Sequence, residues 1–82
     1  MENIIYLTDE NDNRIDDCPN MDGTKEGFEG DIWIHVKNQP LGIKIHKGSY
    51  LHFSHFDLYA DDGCYKVVDI ACPGHYKVTK TL

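Results

Sequence analysis

Two imidazoles three apart, His52 and His55, sit in the aromatic run LHFSHF, and a thiol and an imidazole three apart, Cys72 and His75, flank the turn CPGH. Read together they spell His-x2-His, sixteen residues, Cys-x2-His, four nitrogen and sulfur donors of the kind a tetrahedral zinc ion takes. The strand period limits this reading. On an unbroken strand His52 and His55 point to opposite faces, so a shared ion needs a bulge or a helix between them. The alternative is plainer: CPG is a hairpin turn, and the two histidines are strand residues on a half-polar surface. Structural zinc sites usually carry two cysteine-bearing knuckles, and this chain has one. The plain reading is preferred, so no cofactor is expected, with zinc at His52, His55, Cys72 and His75 as the alternative.

The Cys-Pro-Gly turn resembles the knuckles of zinc ribbons, where backbone amides at the turn support the thiolate. Calcium chemistry is suggested by DENDNRIDD, where Asp9, Asn11 and Asn13 stand at the first oxygen-ligand positions of an EF-hand loop. Arg14 occupies the position that needs glycine, and Asn20 the position that needs glutamate, so a hairpin turn explains the stretch better. A thiol, an imidazole and a carboxylate all exist, but no local signature sets a cysteine beside a base. There is no phosphate-cradling glycine loop, serine elbow or dinucleotide fingerprint. The adjacent pairs Asp16-Asp17 and Asp61-Asp62 are badly placed for convergent acid and base roles. The expectation is a non-enzyme.

The elements that must position these residues are mostly strands. NIIYL at 3–7 is a short β-branched run, and TDENDNR after it is turn chemistry. DIWIHVK alternates cleanly, Ile32, Ile34 and Val36 inward against Trp33, His35 and Lys37 outward. IKIH resumes the alternation through Ile43 and Ile45. CYKVVDIA and HYKVTKTL flank CPG as a second hairpin, after DDG at 61–63 closes a first. In 49–60 the apolar phase flips at Ser54-His55, which predicts a bulged strand in preference to a helix. The fold expected is mainly β, or α+β if that stretch is helical. It is a single domain over 1–82, a small antiparallel sheet or curled barrel of about six short strands, with a long acidic loop at 16–30 and Phe28 as its anchor. The predicted core is Ile32, Ile34, Val36, Ile43, Ile45, Val68 and Ile70.

Charge is segregated. Residues 1–31 carry ten acids against Arg14 and Lys25, a net of −8, whereas 32–82 carry four acids against six lysines, a net of +2. Phosphate contacts need clustered Lys and Arg, so direct nucleic-acid binding by the acidic third is disfavoured. No apolar run reaches the length of a membrane span, and MENIIYLTDEN does not read as a signal peptide. A cytoplasmic chain with reduced Cys18, Cys64 and Cys72 is expected.

Such a focused negative potential steers association with a basic surface, and the commonest basic surfaces in a cell hold nucleic acid. In composition alone the chain resembles bacteriocin immunity proteins and phage-encoded inhibitors such as anti-CRISPRs, a likeness that carries no motif. The expected function is therefore non-catalytic: binding and inhibiting a basic protein, such as a nuclease or nucleic-acid-binding complex, as a monomer or dimer. The expected contacts are Asp9, Glu10, Asp12, Asp16, Asp17, Asp22, Glu26, Glu29 and the outward Trp33. A structural or assembly role is the other alternative.

Overall fold

The alternation in DIWIHVK builds strand β3, Ile32–Val36, with Ile34 and Val36 buried and Trp33 and His35 on the other face. We describe residues 3–15, 17–27, 31–55 and 62–81 of a computed structural model. The other strands are β1 (Asn3–Thr8), β2 (Gly23–Glu26), β4 (Tyr50–His55), β5 (Gly63–Cys72) and β6 (His75–Lys80). All regular elements among the described residues are strands. They form one sheet in the order β1-β4-β5-β6-β3-β2, and every neighbouring pair is antiparallel.

The two edges of that sheet meet. The Ile5 N–H donates to the Met21 carbonyl at 2.9 Å, and the Met21 N–H donates back to Ile5 at 2.8 Å. The Asn3 amide adds a bond to the Gly23 carbonyl at 2.7 Å. The sheet is thus nearly closed into a barrel, and few edge groups on β1 are left for stray pairing. Alternate residues fill the inside: Ile5 and Leu7 from β1, Leu51 and Phe53 from β4, Tyr65 and Val67 from β5, Tyr76 and Val78 from β6. Each such side chain, fully buried, contributes on the order of 1.5–3 kcal/mol.

The second hairpin forms as the sequence predicts. Cys72 pairs with His75 across the two-residue turn Pro73-Gly74. Proline presets the first turn position and Gly74 takes φ 96°, as a type II turn requires. β4 and β5 pair antiparallel, but most of their connection, 56–61, lies outside the described residues.

Four expectations are corrected. The alternation of IKIH does not make a strand. Ile45 is buried and Ile43 half-buried, but they reach the core from a loop braced by the Tyr76 hydroxyl on Gln39 and by the Gln39 amide on the Ile43 carbonyl. The sixth strand is β2, inside the stretch read as a loop over 16–30. Its residues GTKE show no apolar period, because its position is set by backbone pairing to β3. Phe28 lies outside the described residues. The bulge lies elsewhere too. β4 pairs with β1 in unbroken register from Tyr50 to His55, while β5 shifts register between Val67 and Asp69 and again between Ile70 and Cys72. The first shift keeps Val67 inside and leaves Val68 42% exposed, so Val68 is not core. Ile32, Ile43 and Ile70 pack on the core half-buried.

Candidate functional site

The unbroken register of β4 decides the histidine pair. His52 faces outward opposite Tyr6, stacked on its ring at a centroid distance of 4.9 Å. Its Nδ1 lies 2.9 Å from an Asp12 carboxylate oxygen. Burial and then the Asp12 carboxylate push the Tyr6 phenol up, and the Arg14 guanidinium, 4.5 Å from the ring centroid, opposes them. His55 instead has its ring against the edge of Phe53 at 4.6 Å, and its Nδ1 lies 3.4 Å from Asp62. The two rings serve different neighbours.

Cys72 and His75 are further off still. His52 pairs with Cys64, and Cys72 lies eight residues along β5 from there. At the strand rise that is roughly 25 Å. The four donors of the zinc alternative, His52, His55, Cys72 and His75, are therefore not gathered into one site. Among the described residues no group of three or more His, Cys, Asp or Glu side chains is placed to hold an ion.

The structure does bring one thiol to a base. The Cys72 Sγ lies 3.3 Å from the Nδ1 of His75, on an exposed hairpin end. The ring of His75 stacks on that of His35, 4.0 Å between centroids with planes 13° apart. The signal was present in the sequence: outward parity puts His35 on the face that β3 shares with its β6 partner. Cys18 and Cys64, by comparison, are buried. The Cys18 sulfur accepts the Leu7 N–H at 3.2 Å, and that of Cys64 meets the Thr8 hydroxyl at 3.5 Å.

The acidic stretch after β1 is a built structure. The Asp9 carboxylate accepts the N–H groups of Asn11 and Asn13 at 2.8 and 3.0 Å, the Asx-turn pattern that replaces calcium as the reason for these residue types. These bonds, the Asn13 backbone bond foremost, hold the Asp9 carboxyl below its usual value. Asp12 and Asp17 take φ of 64° and 66°, a left-handed conformation that Asp tolerates better than most residues. Arg14 grips the Cys18 carbonyl twice, at 3.1 and 2.7 Å, and Ile15 donates to Leu7 at 3.0 Å.

The expected acidic surface is divided by the closure. From the Ile5–Met21 bridge, β1 runs toward Asp9, Glu10, Asp12 and Asp17, whereas β2 runs the opposite way toward Glu26. Asp22 lies between the two and is exposed; Asp16 and Glu29 lie outside the described residues. Glu10, Asp17 and Glu26 are exposed, and Asp12 is engaged by His52. Trp33 is half-buried between its cross-strand neighbours Glu26 and Lys77.

No family model, curated protein or solved structure matches this chain. No helix among the described residues is long and apolar enough to cross a membrane.

Proposed function

We propose that the chain is a non-catalytic binding protein that inhibits a basic, nucleic-acid-acting partner in the cytoplasm, in the manner of an immunity protein or a phage-encoded inhibitor. One observation carries this: the loop over 9–22 is pinned by Asx, backbone and arginine bonds while Glu10, Asp17 and Asp22 stand exposed on it. A rigid loop loses little conformational entropy on docking, so its carboxylates meet cationic groups at small ordering cost. The loop's own cation, Arg14, is turned onto the Cys18 carbonyl and the Tyr6 ring, and against its six acids the sequence over 9–22 keeps a net charge of −5. Of the contact set expected from the sequence, the described members on this loop are Asp9, Glu10, Asp12, Asp17 and Asp22; Asp16 and Glu29 lie outside the described residues. Glu26 and Trp33 belong to a separate face.

The test is capture by the tagged protein, with bound proteins identified and then assayed for inhibited nucleic-acid binding or cleavage. The triple change Glu10→Lys, Asp17→Lys, Asp22→Lys is expected to abolish capture and inhibition without unfolding the chain. A partner still captured and inhibited by the triple variant would end this reading.

A further inference from the structure

The exposed hairpin end carries a chelating pair. Cys72 and His75 face each other across a turn whose two residues are fixed by proline geometry and a left-handed glycine. Their donor atoms, 3.3 Å apart, already have the spacing of two ligands on one ion. Zinc–sulfur and zinc–nitrogen bonds of about 2.3 and 2.05 Å would span that gap at an angle of roughly 100°, close to tetrahedral. His35 is not a third donor. Its ring lies face to face with that of His75, 4.0 Å away, so its in-plane lone pair cannot aim at an ion lying in the plane of His75.

The geometry points to half of a metal site, completed by Cys72 and His75 of a second copy of this chain around one zinc-class ion. A tetrahedral ion wants four donors, and no described group in one chain supplies more than these two. The surface next to the turn suits a second copy. Pro73 lines both the turn and a groove of about 420 Å³ that Ile43, Ile70 and Tyr76 make largely apolar. Leu41, 102% exposed, stands on the neighbouring loop wall. Exposed leucine beside an apolar groove is surface that association would bury. Each copy carries a net charge of −6, so the pair repels without the ion. Binding displaces one thiol proton from each Cys72 to solvent and leaves an S2N2 ion of no net charge. His35 acts as a positioning residue that fixes the ring of His75.

The experiment is titration of the reduced full chain with Zn²⁺, and with Co²⁺ as a spectroscopic probe, while mass is followed by light scattering. One ion per two chains is expected, with a tetrahedral cobalt spectrum, a shift from 9.4 kDa to twice that mass, and reversal by chelator. Cys72→Ser and His75→Ala should each abolish both the spectrum and the shift. His35→Phe, which keeps a ring on His75, should retain them, as should the double change His52→Ala, His55→Ala. No uptake, a one-to-one monomeric complex, a dimer that persists without the ion, or uptake unchanged in Cys72→Ser would each overturn the assignment. Loss of uptake in His35→Phe would overturn the two-ligand set. The Asp12 part of the acidic loop lies at the other end of β5, beside His52, and the titration changes none of the loop's carboxylates, so this outcome and that of the partner-capture test are read separately.

Discussion

Replacing Gly23 by alanine places a methyl group where the barrel has no room for one. An ideal Cβ there lies 2.2 Å from the His35 carbonyl oxygen and 2.5 Å from the Ile5 side chain. Real contacts need more than 3 Å, so β3 and β2 must separate by roughly an ångström, or Ile5 must leave its pocket. Neither is easy. Ile5 is fully buried, and the His35 backbone is held between β2 and β6. Overpacking of this kind costs about 1–3 kcal/mol, and a clash with backbone belongs at the upper end. For a domain of this size each kcal/mol is worth about 4–8 °C, so Gly23→Ala should melt roughly 12–24 °C below the parent. Gly42→Ala is the control, since nothing lies within 4 Å of a Cβ at that position. Circular dichroism melts of both variants measure the difference. If Gly23→Ala and Gly42→Ala melted together, the closure between β1 and β2 would not be as tight as described.

The β5 bulge predicts opposite outcomes for neighbouring valines: Val67→Ala, at a fully buried position, should cost about 1.5–3 kcal/mol in urea titrations, and Val68→Ser almost nothing. Equal costs would place the bulge elsewhere. The lowered Asp9 carboxyl stabilises the fold above the ordinary value of 3.8, and this stabilisation is lost as pH falls through the folded-state value. The melting difference between the parent and Asp9→Ala should therefore be present at neutral pH and vanish in acid; a difference constant with pH would refute the bonding described. For the proposed partner, Glu10→Lys or Asp17→Asn singly, the latter keeping a residue suited to the left-handed conformation, should slow association and weaken its salt dependence, read by surface binding kinetics, with the melting temperature held. Changes confined to dissociation would point to a different contact.

Much of the fold was legible where side chains alternate against one core. Ile34 and Val36 on β3, and the Pro-Gly hairpin between β5 and β6, follow from period and turn chemistry alone. β2 was not legible, because GTKE is placed by ladder bonds and by a glycine that lets β3 approach, neither of which leaves an apolar period. IKIH misled for the opposite reason: loop residues that each reach a core can alternate by accident. The phase flip at Ser54-His55 pointed to a bulge that the unbroken pairing of β4 with β1 up to His55 does not contain; Phe56 and Leu58, which create the flip, lie outside the described residues. Of the candidate sites, the residue types were visible and the distances were not. The hairpin turn read from CPG sets Cys72 across from His75, but nothing in sequence spacing turns His52 to Asp12.

The sheet order sets synthesis against pairing. β5 and β6 are joined by two residues and can zip as soon as both exist, whereas β1 pairs with β4, so Thr8 meets Tyr50 and Asn3 meets His55. Contacts this distant close slowly, because the intervening chain must first be gathered in. Until β4 is made, β1 is an apolar ribbon without its main hydrogen-bond ladder, next to an acidic turn that it needs no partner to form. The carboxylates of that turn then act as a gatekeeper, keeping nascent copies of NIIYL apart by repulsion before the barrel exists.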